Sequence, residues 1–145
     1  MDYAKQIHIL DNAIATLNAE MTERYEGERI KSRGEALKKT AILALTDAGC
    51  SQMVITAINN VSFSYAGRWL PGGNFMTSDI RNESFVTAYR QSVGAIIKIL
   101  EQERSRLVKE QQDEIQQKSL LWAKIAAFGS IASIIVSIIL YLCKN

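Results

Sequence analysis

The chain has 145 residues, with 17 Lys and Arg against 15 Asp and Glu and a formal net charge of +2 at pH 7. Its charges are interspersed, so nothing resembles the concentrated basic footprint that neutralises a phosphate backbone, and a nucleic-acid polymer is not an expected partner. The length allows one modest domain, and a long uncharged run near the C-terminus leaves only about 120 residues to fold in water.

The opening "MDYAKQIHILDNAIATLNAEM" lacks the basic start, apolar middle and cleavage site of a secretory signal. Within it Tyr3, Ile7, Leu10, Ile14, Leu17 and Met21 alternate at spacings of four and three, which predicts a helix with an apolar seam facing a partner. Asp2 is its expected cap. The charge-rich "ERYEGERIKSRGE", with Gly27 and Gly34, is expected to end or bend it. A second helix is predicted from Glu35 to Ala48, burying Leu37, Ala41, Ala44, Leu45 and Ala48 and stopped by Gly49.

Ser51 offers a fresh cap, and Val54, Ala57, Ile58, Val61 and Tyr65 recur at helical spacing up to Gly67. The competing reading is a hairpin about Asn59-Asn60, supported by the alternation of Val61, Phe63 and Tyr65 with serines. Helical matches outnumber strand matches, so the helix is preferred. The segment "GRWLPGGNFMTSD" is the one Gly/Pro-dense stretch and reads as a loop. From a cap at Thr77, Ser78 or Asn82 the chain then runs on without proline, interrupted only by Gly94 and Gly129. One continuous helix of some sixty residues would measure roughly 90 Å. Its first part, through Phe85, Tyr89, Val93, Ile96 and Leu100, is suited to a core.

Residues 101–119, "EQERSRLVKEQQDEIQQKS", are polar on nearly every side and carry helical ion-pair spacings, Arg106 with Glu110 and Glu114 with Lys118. They read as a charged stalk. Beyond them "IAAFGSIASIIVSIILYLC", residues 125–143, has no charge at all. Nineteen residues rise about 28 Å, close to the hydrocarbon thickness of a bilayer. Trp122 and Tyr141 flank the run, and five cationic residues precede it (Arg104, Arg106, Lys109, Lys118, Lys124) against Lys144 after it. The expected product is therefore single-pass, with a cytosolic N-terminal part, in the inner membrane if the cell is bacterial, and inserted post-translationally in tail-anchored fashion.

The sequence thus predicts an all-α chain: a cytosolic helical bundle over residues 1–100, a stalk over 101–119, a transmembrane helix over 120–143 and an extracytoplasmic tail of 144–145. Within the membrane helix Ala126, Gly129, Ser130, Ser133 and Ser137 make a small-residue stripe, expected to let copies of the helix approach and assemble, although such residues are also common in membrane helices. Cys50 and Cys143 lie in different environments and read as free thiols.

Little points to an enzyme. His8 is the only histidine, no cysteine pair has metal-ligand spacing, and "GRWLPGGN" lacks the lysine of a phosphate-binding loop, so neither a metal nor a cofactor is expected. Arg68, Trp69, Phe75 and Arg81 combine cations with aromatic faces and are the candidate ligand-binding set, for a small phosphorylated ligand or a cytosolic protein; the plainer reading has the two rings closing the core. Arg29, Lys31, Arg33, Lys38 and Lys39 form a second cationic group, for anionic headgroups or a phosphorylated ligand, or simply a charged helical corner. The expectation is a non-enzymatic membrane effector that assembles to permeabilise the bilayer. In layout alone it resembles the small membrane effectors of bacterial toxin and anti-phage systems. The alternative is a tail-anchored adapter, with the Tyr3–Met21 seam as its docking surface.

Overall fold

A computed structural model describes residues 2–23, 28–63 and 78–142, with the side chains of 28, 30, 78–85 and 140–142 left out of the description. Among these residues the chain is all-helical, with no strand: α1 (Tyr3–Glu20), α2 (Glu28–Asp47), α3 (Gln52–Asn59) and α4 (Ser78–Leu142). It divides into two compact units, Met1–Leu107 and Val108–Asn145, and α4 contributes to both.

The first unit holds the core. α1 begins where Asp2 Oδ1 accepts from the Lys5 backbone N–H at 3.1 Å, satisfying one of the donors a helix start leaves open. Leu10, Ala13 and Leu17 of α1 are buried, and Tyr3, Ile7, Ile14 and Met21 pack half-buried against the same core. Of the Tyr3–Met21 seam, Leu10 and Leu17 are thus fully inside the core, and the other four residues are only half-covered by it. The seam's partners are Leu37, Ala41, Ala44, Leu45 and Ala48 of α2, Ile58 of α3, and Tyr89, Val93, Ile96, Ile97, Leu100 and Leu107 of α4.

Three boundaries differ from the sequence expectation. α2 starts at Glu28, not Glu35, and runs straight through Gly34. The glycine is there because the Phe63 ring occupies the space of the missing side chain, and any Cβ would overlap that ring. α3 stops at Asn59, short of Tyr65. Asn59 and Asn60 are weak helix formers, and leaving the helix lets Val61 and Ser62 carry Phe63 into the core. The hairpin alternative falls with its first strand, which is α3; Tyr65, Gly67 and Pro71 lie outside the described residues. Finally, Leu107, expected in the stalk, is 3% exposed and completes the core.

The end of α2 follows expectation. Gly49 has φ of +69°, and the Cys50 and Gly49 N–H groups donate back to the Leu45 and Thr46 carbonyls, each at 2.9 Å. This is the glycine-capped helix end in which a residue without Cβ takes the left-handed turn. Gln6 Nε2 donates to the Ala48 carbonyl at 2.7 Å, so α1 closes the same end.

Two glycines inside helices should respond in opposite directions. Gly34→Ala overpacks the Phe63 ring and is expected to lose about 1–3 kcal/mol. Gly94→Ala meets nothing within 4 Å and should gain up to about 1 kcal/mol from helix propensity. Urea unfolding followed by circular dichroism separates the two.

Candidate functional site

Of the predicted ligand-binding set, Arg68, Trp69 and Phe75 lie outside the described residues; Arg81 lies within α4, and its side chain is not described. The second cationic group is split. Arg29, Lys31 and Lys39 are exposed on α2, whereas Lys38 is turned inward and Arg33 is engaged by a carboxylate. Lys38 Nζ pairs with Glu35 at 3.1 Å, donates to the Asn59 carbonyl at 3.4 Å, and stands 5.8 Å from the Phe63 ring centroid. It is therefore a structural cation tying α2 to the end of α3 and to Phe63 just beyond it.

Among the described residues of the first unit, the most developed polar arrangement centres on Glu20, the last residue of α1, which is 7% exposed. Arg33 of α2 reaches it with two nitrogens, Nε donating to Oε2 at 3.1 Å and Nη2 to Oε1. Tyr89 of α4 donates its hydroxyl to Oε2 at 3.3 Å. The Tyr89 ring in turn lies 5.8 Å from that of Phe63. One carboxylate thus gathers α1, α2 and α4. Asp11 of α1 and Arg104 of α4 make a second, half-exposed pair between helices.

The sequence reading missed these links. The available signal was Glu20 itself, which continues the buried spacing of Leu10, Ala13 and Leu17 and puts a carboxylate where an apolar residue is expected. Among the described residues, one open depression is lined by Asp11, Ile14, Glu101, Arg104 and Ser105, and another by Arg29, Ser32, Arg33 and Ala36. In each, a central charge already has its partner.

Cys50 is a half-buried free thiol. Burial, and then the negative charge of Glu103, push its pKa above the ordinary 9.0, with Arg106 opposing. Such a thiol stays protonated and unreactive at neutral pH.

In the second unit, every residue from 115 to 139 is exposed. The apolar part of α4 is the one described helix long and apolar enough to cross a membrane. Ala126, Gly129, Ser130, Ser133 and Ser137 all lie on it within one helix. The serine hydroxyls donate to their own helix: Ser130 to the Ala127 carbonyl at 2.8 Å, Ser133 to that of Gly129 at 3.0 Å and Ser137 to that of Ser133 at 2.8 Å. Their polarity is thereby masked, which makes them compatible with hydrocarbon. Nearer the first unit, Glu114 pairs with Lys118 at 2.7 Å. The hydrogen bond and charge of Lys118 hold its carboxyl below the usual range.

No family model matches the chain, and neither a curated protein nor a solved structure does.

Two measurements probe the first unit. Glu20→Ala leaves Arg33 and the Tyr89 hydroxyl without their shared acceptor, and should cost about 1–3 kcal/mol by urea unfolding, more than Tyr89→Phe at about 0.5–1.5 kcal/mol. In a Cys143→Ala background, iodoacetamide should modify Cys50 more slowly in the folded protein than in urea at pH 8. Because the folded thiol holds its proton more tightly than the unfolded one, its contribution to stability is intact below the unfolded value of 9.0. That contribution declines as pH rises through the higher folded value.

Proposed function

We propose that the chain is a non-enzymatic, single-pass membrane effector: the helical unit of residues 1–107 faces the cytosol and receives a ligand or partner, and the apolar helices of several copies assemble to permeabilise the bilayer. The observation that carries the reading is where apolar surface is left uncovered. Among the described residues, fourteen large apolar side chains are left exposed: Leu43 and Met53 fall in the first unit, and the other twelve run from Ile115 to Ile139. Each such side chain contributes about 1.5–3 kcal/mol when fully buried, so leaving them in water forgoes on the order of 10–20 kcal/mol. That rivals the whole net stability of a domain, about 5–15 kcal/mol. A hydrocarbon environment removes the conflict, and the inward-turned serine hydroxyls suit it. The excess of Lys and Arg before the run supports a cytosolic first unit.

Assembly is supported by the small residues of the stripe, which permit close helix approach where lipid gives no hydrophobic drive. The adapter alternative would draw on the half-covered Tyr3, Ile7, Ile14 and Met21 for its docking surface, since Leu10 and Leu17 are spent on the core.

Dye release from liposomes tests the reading. Full-length protein is expected to release dye; a chain ending at Lys118 should not, and Gly129→Ile with Ser133→Ile should reduce release at least several-fold while leaving the protein in the vesicle fraction. Intact vesicles with the full-length chain, with or without cytosolic extract added as a source of activator, would reject permeabilisation.

A further inference from the structure

The exposed apolar surface of α4 starts before its uncharged run. Leu120, Leu121 and Trp122 are 62%, 58% and 68% exposed, and the exposed Lys124 stands between them and Ile125. Measured from Leu120 to Leu142 the helix is about 34 Å long, which crosses the hydrocarbon of a bilayer with modest tilt. Measured from Ile125 it is about 27 Å, and the three large side chains before it stay in water. The hydrophobic gain therefore draws the membrane boundary up to Leu120, which places the backbone of Lys124 about 6 Å inside it.

Lys124 is the one charged residue between Leu120 and Leu142. Its helical neighbours three and four positions away are Leu120, Leu121, Ala127 and Phe128, so the helix offers it no carboxylate, and no acidic residue occurs from 115 to 145. Lys118 differs, because Glu114 already pairs with it. A cation without a partner is not kept in hydrocarbon and has to reach the interface. Helical geometry directs it there. Side chains tilt towards the helix N-terminus, so the lysine stem runs back over the turn at Leu120 and Leu121, and its four carbons climb about one turn. Gln117 lies seven positions before Lys124 on the same face, with an amide that donates from the water side. Trp122 falls on the opposite face at interface height.

We propose that Lys124, with the Gln117 amide above it, is a binding site for the phosphate of a phospholipid headgroup, on the side of the membrane that the first unit faces. The occupant follows from charge. Lys124 lacks an anion at the level where apolar turns give way to polar ones, and the lipid phosphodiester is the anion of that layer. A phosphate held between the ammonium and the amide N–H neutralises the cation where the helix has no acid to do so. The contact also sets how far the helix can sink or rise, since movement either way strips the ammonium of its phosphate. The proposal rests on the membrane reading above and adds to it a headgroup site and the depth of the helix.

Solid-state NMR tests it on the full-length chain with isotopically labelled lysine ammonium nitrogens, in phosphatidylcholine vesicles and phosphate-free buffer, by reading the dephasing of lysine nitrogen by lipid phosphorus. Lys124→Gln should remove a phosphorus-dephased lysine signal that Lys118→Gln leaves intact, and Gln117→Leu should weaken it. A signal that survives Lys124→Gln undiminished, or is untouched by Gln117→Leu, overturns the site while the membrane reading stands, provided the protein stays in the vesicle fraction. Protein left in the supernatant removes the membrane reading and the site with it. In vesicles of galactolipid, which has no phosphorus, with inorganic phosphate in the buffer, the signal should be absent; its presence there overturns the lipid as ligand in favour of free phosphate.

Discussion

The first unit depends on one buried carboxylate. Taking Glu20 out of water costs several kcal/mol unless its oxygens are fully engaged, and the chain engages them with the Arg33 guanidinium and the Tyr89 hydroxyl. These donors come from α2 and α4, so they converge on the carboxylate when three helices meet in one rotational setting. With Glu20 facing inward, Leu17, Ala13 and Leu10 must face inward too, because they precede it at intervals of three and four. Alkyl side chains alone would tolerate a slide or a rotation. A charged group with fixed donors does not, and this is the usual service of a polar group in an apolar core.

Helices with a clean apolar period were legible in the sequence. α1, the C-terminal half of α2 and the uninterrupted α4 all follow from spacing, and the Gly49 stop follows from glycine's access to positive φ. What could not be read was anything set by a distant neighbour. Gly34 has the composition of a helix breaker and acts as a packing notch, since the ring that fills it arrives from 29 positions later in the chain. Leu107 sits in a segment whose local composition is polar, yet it closes the core because Leu100, one heptad earlier, already points there. The cationic group from Arg29 to Lys39 looks uniform in sequence and is divided in space, with Lys38 and Arg33 spent on internal partners.

The apolar half of α4 was the most legible part, for a physical reason. Its exposed side chains make no contacts that tertiary structure could rearrange, so length and composition say nearly everything about it. The two units therefore rest on different physics. In the first, specificity comes from buried contacts between helices of one chain; in the second, the helix satisfies its own backbone and its own serines and leaves its outer surface to the surroundings.

The fit of Phe63 against Gly34 has an evolutionary consequence. Cavity and plug belong to one volume, so substitutions at either position are judged by what the other holds. A side chain added at 34 becomes acceptable once the ring at 63 is reduced, and a smaller residue at 63 opens a void that a larger one at 34 can fill. Single changes should look severe and the matched double change mild, because contacting positions are strongly non-additive. In diverging copies of this chain, positions 34 and 63 should drift as a correlated pair, with Lys38, whose ammonium lies over the ring, following the aromatic character of the second.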